Sequence, residues 1–263
     1  VGLNIESSGG AGAFVDEGAP APFSAMSFGT RVVFPRKKLV VMYPITDELP
    51  RSTSGLILPL LTRNATKNCI QACDRNFIDP SNAGSTAGPA AVSYGAPTFV
   101  CAGGTVADLD AVIGAGIESL INNKSTLDNV SAILHPNTLT GMKMIRNSSG
   151  NLAYPDLTAG NLFGLNVISS ASVPYAGSPI SASIILLDSS RVWVADEGEL
   201  FFEVSRYGTV ESSDSPTNNN LVPTAANLTS LFQTSSMACR LTRYINWKIG
   251  STNSCAVISG VPY

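Results

Sequence analysis

Apolar residues recur every three or four positions between residues 54 and 78. Leu58, Leu61, Ala65, Cys69, Ala72, Cys73 and Phe77 line one stripe, with Arg63, Lys67, Asp74 and Arg75 mostly off it. The pattern predicts the longest helix of the chain, capped by Ser54, carrying Pro59 early, and ended by Asp79-Pro80. A second helix is predicted from about Val106 to Asn122, with Leu109, Val112, Ile113, Ile117, Leu120 and Ile121 as its apolar positions. His135-Pro136-Asn137-Thr138 opens a third, running to about Ile145. Other segments read as β. Val32, Val33, Phe34, Leu39, Val40, Val41 and Tyr43 flank Pro35-Arg36-Lys37-Lys38 within residues 26–49, which fits a long two-stranded arm. Such an arm cannot bury enough surface to be stable alone. Further strands are predicted at 130–134, 164–169, 182–187, 191–195, 199–207, 237–249 and 254–259. Residues 1–22 are rich in Gly, Ala and Pro and read as an extended, mobile stretch. Residues 79–104 and the polar segment 211–227 read as loops, and 147–151 as a turn. No repeat stands out, and the order of elements gives an α+β class.

Composition narrows the function classes. The chain has 263 residues, 16 Lys plus Arg and 19 Asp plus Glu, for a net charge of −3. That balance gives no overall drive toward nucleic acid or anionic lipid. Only 13% of residues are charged, against about 25% in an ordinary protein. Two explanations stand level: a surface covered by copies of the same chain, whose interface centres do without charge, or a plain uncharged polar surface. The apolar runs, such as Ile184 to Leu187, fall far short of the roughly 18 residues that cross a bilayer, so no membrane partner is expected. The first residues lack the basic start and apolar stretch of a signal peptide, and the missing Met points to processing or an absent upstream segment. Cys69, Cys73, Cys101, Cys239 and Cys255 are odd in number and irregularly spaced, so they form no disulfide framework. With one His and no CxxC pair, no metal is expected. The five Asn-x-Ser/Thr sequons are explained by an Asn-, Ser- and Thr-rich composition.

A search for catalytic constellations comes back empty. There is no GxSxG elbow and no GxxxxGK[ST] loop. His135 reads as a polar turn residue. Gly114-Ala115-Gly116 lacks the third Gly of a dinucleotide fingerprint and lies inside a helix. Asp108 and Asp110 open a helix, where the dipole favours them. Asp196, Glu197 and Glu199 read as a hairpin turn between two strands. Arg36-Lys37-Lys38 is too short for a nucleic-acid patch and reads as a solvated turn or an interface charge. No enzyme and no cofactor are expected, and the balance moves toward a structural or binding protein.

Several segments occur in an order that carries more information than any one of them. Ala13-Phe14-Val15-Asp16-Glu17-Gly18-Ala19-Pro20-Ala21-Pro22 is followed by Met26-Ser27-Phe28, two β runs and the long helix. Then come Ala132-Ile133-Leu134-His135-Pro136-Asn137-Thr138-Leu139 with Met142, Arg146, Gly150, Asn151 and Leu152. Leu162-Phe163-Gly164-Leu165-Asn166-Val167-Ile168, Ile184 to Asp188, Val192-Trp193-Val194 and Phe201-Phe202-Glu203-Val204-Ser205 follow. Phe232, Arg240, Arg243 and Ala256-Val257-Ile258 close the series. The set resembles the major capsid proteins of tailed bacteriophages with the Hong Kong 97 fold, with Asn166 standing where that family usually has Pro.

The resemblance implies a Hong Kong 97-like fold: an extended β-arm, a long spine helix, a peripheral domain and an axial domain. It divides the chain into an N-terminal extended segment (1–12), the arm (13–50), the spine helix of the peripheral domain (51–82) and the axial domain (83–130). A strand and helix of the peripheral domain (131–150), a return segment of the axial domain (151–165) and peripheral strands to the C-terminus (166–263) complete it. The implied function is self-assembly, as hexamers and pentamers, into an icosahedral shell around a double-stranded DNA genome. The DNA is held non-specifically, with portal, scaffold or decoration proteins as further partners. The location implied is the virion, after assembly in the host cytoplasm. The implied inter-subunit contacts are Glu17, Phe28, Arg31, Arg36, Lys37, Lys38, Arg206 and Arg243. The alternatives are an encapsulin-like nanocompartment shell and a secreted β-rich binding or hydrolytic protein. Few residues precede Glu17, so the family's N-terminal arm is short or missing from this chain. The founding member's isopeptide bond needs a Lys, an Asn and a Glu. Here Ser27–Arg31 holds no Lys, and Leu241 and Thr234 stand where the Glu and Asn would be, so no covalent crosslink is expected.

Overall fold

The computed structural model describes residues 2–3, 6–8, 27–28, 32–49, 57–147, 149–176, 181–211 and 228–263. Two layers carry the fold. The elements used below are β1 (Lys38–Thr46), α1 (Ile57–Ile78), β2 (Thr98–Val100), α2 (Val106–Asn122), β3 (Val130–Leu134) and α3 (Pro136–Met144). They continue with β4 (Asn161–Leu162), β5 (Leu165–Ser169), β6 (Ser181–Asp188), β7 (Val192–Ser205), β8 (Ser236–Ile249) and β9 (Cys255–Val261).

The first layer is a mixed sheet in the order β2-β9-β6-β3-β5-β4, with Tyr175–Ala176 paired onto β6. Its central strand β6 is buried on both faces, which is why it reads as an unbroken apolar run. Ile184 and Leu186 pack with Leu109, Ile113 and Leu120 of α2, while Ile185 and Leu187 pack with Ile78, Val92 and Trp247. Local sequence sets the start of α2: Thr105 Oγ accepts from Asp108 N–H and Asp108 Oδ2 from Thr105 N–H, at 3.2 and 3.3 Å. One of its glycines serves packing. A Cβ on Gly116 would lie 3.1 Å from Leu186 Cδ1, so Gly there lets the helix approach β6 closely. Helix α3 begins with Pro136 and is capped by His135, whose Nδ1 accepts from Asn137 N–H at 3.2 Å. The His135 ring stacks on Tyr175 with centroids 4.6 Å apart.

The second layer is an antiparallel sheet in the order β7-β8-β1 with α1 lying across one face. Ala65 and Cys69 of α1 meet Leu241 of β8 and Leu39, Val41 and Tyr43 of β1. Leu61 meets Ile45, Met237 and Cys239. Cys69 and Cys239 are therefore core residues here, as free Cys often are. Trp247 joins the layers: its indole N–H donates to Ala90 O at 2.8 Å, and its ring meets Phe77 edge-on at 5.4 Å.

Two expectations change. Strand 38–46 does not pair with 32–34 as one arm; it is the outer strand of its own chain's sheet, and Val32–Val33 pairs with Gly2–Leu3. Residues 191–195 and 199–207 are not two strands joined by a hairpin turn. They form the single strand β7, in which Glu197–Glu199 bulge out between Asp196, paired with Ile245, and Leu200, paired with Arg243. The first sheet gathers strands from residues 98 to 261, on both sides of the boundary expected at 130/131. The expected cap Ser54 and loop residues 212–227 lie outside the described residues.

Candidate assembly surfaces

The chain enters the second layer through residues 34–37, and four kinds of contact fix it there. Phe34 is buried, Asn246 Nδ2 donates to Pro35 O at 2.7 Å, and Ile245 N–H donates to Lys37 O at 3.1 Å. The Lys37 ammonium donates to Ser85 O and Thr86 O at 3.1 and 2.6 Å. Arg36 Nε lies 3.1 Å from Glu197 Oε1 on the β7 bulge. The same bulge places Asp196 against Arg243 of β8. The guanidinium hydrogen bond holds the Asp196 carboxyl below the usual aspartate range, and the carboxylate raises Arg243 in turn. Gly198, at φ +75°, makes the turn of the bulge, and its N–H donates to Asp196 Oδ1 at 3.1 Å.

Of the residues expected to make inter-subunit contacts, Arg36, Lys37, Lys38 and Arg243 gather around this anchor. Arg36 and Arg243 pair within their own chain, and Lys37 is held by its own carbonyls. Arg206 sits apart and exposed, just beyond the far end of β7. Glu17 and Arg31 lie outside the described residues. Phe28 belongs to the short strand Ser27–Phe28, paired with Glu6–Ser8, and its side chain is outside the description. Sequence reasoning missed Asp196 and Glu197 as partners of the arm. Glu197 meets Arg36 and Asp196 meets Arg243, and both cations come from distant parts of the sequence, so no local signal marks either pair.

The face of the second sheet turned away from α1 mixes apolar and charged side chains and is partly open. Register places Lys38, Val40 and Met42 of β1 on it, with Arg240, Thr242 and Tyr244 of β8 and Phe201 and Glu203 of β7. Arg240 and Glu203 form an ion pair across it, and Phe201 meets Tyr244 edge-on at 6.2 Å. Val40, Met42 and Phe201 remain exposed there. Strand β7 is the edge of this sheet and leaves one side of its backbone unpaired among the described residues. Beside that edge Leu200, Phe202 and Val204 are also exposed. Beyond it, Tyr207 and Phe232 are 80% and 78% exposed. A long edge strand with apolar groups on both faces is a surface that another chain covers.

No catalytic arrangement emerges among the described residues. Among the described residues, no group of three His, Cys, Asp or Glu stands close enough to hold a metal ion. No described helix is long and apolar enough to cross a membrane. Burial raises every thiol, Cys255 to about 12. The Tyr154 hydroxyl donates to Asp110 Oδ1 at 2.7 Å, and burial followed by that bond raises its pKa. Asp188 is buried, which alone would raise its pKa; hydrogen bonds from Ser190 and Ser125 outweigh this and lower it. These are groups placed for packing.

A spine helix across a three-stranded sheet, a mixed sheet beside it and a chain entering at an anchored arm are the parts of a Hong Kong 97-like fold. Solved structures agree. A chain of Mycobacterium phage Bobi matches with a TM-score of 0.71 and 14% identity, covering 98% of this chain and 84% of that one. One of Gordonia phage Cozz matches at 0.68 and 17%, covering 98% and 80%. The capsid of an empty GTA particle matches at 0.68 and 12%, covering 99% and 84%. The capsid polyprotein of Pseudomonas phage PAJU2 is 27% identical over 260 residues, 97% of this chain. The chain spans 38% of that relative's length. The model of the phage capsid family matches residues 2–233, and the chain belongs to that family.

Proposed function

We propose that this chain is a major capsid subunit, assembling as hexamers and pentamers into an icosahedral shell around the double-stranded DNA of a tailed phage. The observation that carries the reading is the free edge of the β7-β8-β1 sheet with Val40, Met42, Leu200, Phe201, Phe202 and Val204 exposed around it, on a chain with a capsid fold. Such a surface favours association by burial. In this reading the mixed sheet with α2 and α3 is the axial unit near symmetry axes. The second sheet with α1 is the peripheral unit along subunit edges. The chain ahead of Phe34 reaches onto a neighbour, pivoting at the anchor that Arg36, Lys37 and Glu197 hold. One sequence in both hexamers and pentamers requires heterologous ring contacts with some freedom between units. The cargo-cage alternative is not favoured, since the family matched is a phage capsid family. The subunit is a component of the virion, assembled in the host cytoplasm, with portal, scaffold and decoration proteins as its further partners.

Shell contacts are non-covalent in this reading. The position where a catalytic Glu would stand is Leu241, which is 2% exposed between α1 and the sheet. Sedimentation velocity of the purified protein, with a denaturing gel of the same sample, tests both statements. The expected result is a boundary at megadalton mass that collapses to one 27.4-kDa band on the gel. A boundary that stays at monomer mass across concentrations refutes assembly, and a ladder of covalent oligomers refutes the non-covalent contact.

A further inference from the structure

The two helices that cover one face of the mixed sheet differ in charge. Helix α2 carries Asp108, Asp110 and Glu118 and no base, while α3 and the turn after it carry Lys143 and Arg146 and no acid. Most of these charges are engaged within the chain. Asp108 caps α2, Asp110 accepts from the Tyr154 hydroxyl, and Arg146 donates to Gly150 O at 3.0 Å. Glu118 and Lys143 are exposed, and neither is in an ion pair among the described residues.

The two helices flank opposite sides of the sheet. Helix α2 lies over β9 and β2, and α3 packs against the turn Pro155–Ala159 that leads into β4. Tyr263 stands between them: a Cβ on Gly141 of α3 would lie 3.1 Å from its Cβ, and its hydroxyl donates to Gly104 O ahead of α2 at 2.7 Å. With neighbouring strands about 4.8 Å apart, the β2 and β4 edges lie about 24 Å from one another.

Each flank carries more than a charge. Glu118 rims a hollow of about 480 Å³ whose wall includes Pro97, Phe99 and Ala115. On the other flank Met144 follows Lys143 and is 72% exposed, more than any other large apolar residue described in the mixed-sheet unit. The helix dipole favours a Lys in the last turn, which accounts for Lys143 alone. It does not account for an apolar side chain held in water beside that Lys.

A ring of identical subunits joins one surface of each copy to a different surface of the next. An acidic hollow with an aromatic wall on one flank, and a cation beside a Met on the other, form such a complementary pair. Resting on the shell reading, we infer that the end of α3 in one copy docks on the β2 flank of the next copy around each hexamer and pentamer, with Met144 in the hollow against Phe99 and Lys143 paired with Glu118.

Charge reversal in the full chain tests this contact. K143E or E118K places like charges at every ring contact, and either is expected to raise the protein concentration needed for assembly by about tenfold or more. K143E/E118K restores opposite signs and is expected to recover most of that loss. K248E makes the same change on β8 and is expected to match wild type. In 1 M salt, where screening acts within about 3 Å, the gap between the single variants and wild type should narrow. Light scattering against concentration reads the threshold, electron microscopy scores rings and shells separately, and thermal unfolding checks the fold of each variant. Single variants that assemble like wild type, or a double variant no better than either single, overturn the inference. Wild-type rings that never close into shells count against the shell reading alone, and the same variants then judge the contact by its rings. Wild type that stays monomeric overturns both.

Discussion

Replacing Asp196 by Asn tests the anchor of the arm at its most buried charge. The Asp196 and Arg243 side chains are each 26% exposed, between the surface and buried regimes. Exposed pairs contribute about 0.2–1 kcal/mol, whereas breaking a fully buried pair costs about 3–5 kcal/mol. The substitution removes the charge while leaving an oxygen for the Gly198 N–H, so about 1–2 kcal/mol is the expected loss. At about 2–4 °C per kcal/mol for a chain of this size, the unfolding midpoint of unassembled protein should fall by about 2–8 °C at pH 7. Acid gives an independent check of sign. The folded Asp196 carboxyl is depressed, so its stabilisation is fully present above the unfolded aspartate value of about 3.9 and is lost as pH falls through the lower folded value. The gap between wild type and D196N should hold from pH 7 down to that range and close below it. A double-mutant cycle with R243Q isolates the pair from other effects of either change. An unchanged midpoint at pH 7, or a gap that widens toward acid, refutes the reasoning.

Other outcomes follow from the core. Ile184→Ala, at the fully buried centre of β6, should cost about 2–5 kcal/mol by chemical denaturation. A cost under about 1 kcal/mol would mean that the mixed sheet is not the organising core. Trp247→Phe keeps an aromatic ring against Phe77 but leaves the Ala90 carbonyl without its donor, an expected loss of about 1–3 kcal/mol by the same assay. The Cys255 thiol, buried and raised to about 12, should resist alkylation at pH 8 in the native protein and react once denaturant unfolds it. Mass spectrometry of labelled peptides reads this directly, and rapid native labelling would contradict its burial.

What the sequence shows and what it hides divide along the range of the interactions. Helix α2 is legible because its stripe and its Thr105–Asp108 cap are local. Strands β3 and β6 are legible as apolar runs because both of their faces are covered. The partner of β1 is not legible: alternation shows a strand with one buried face, while the pairing of Lys38 with Tyr244 joins distant parts of the chain. The β7 bulge is misread for a related reason. Asp-Glu-Gly-Glu looks like a turn until Arg36 and Arg243 arrive from elsewhere to hold it within a strand. Division into units is hidden too, since the mixed sheet collects β2, β3, β5, β6 and β9 from well-separated segments. At the proposed assembly surface, the arginines and lysines are visible in the sequence as candidate contacts, but Phe201 and Phe202 read simply as strand residues. Only the topology shows them at an open edge.

The most direct test of the account is negative-stain electron microscopy of the purified protein. The account calls for closed icosahedral shells some tens of nanometres across, built from hexamers and pentamers. A uniform field of monomers would contradict it.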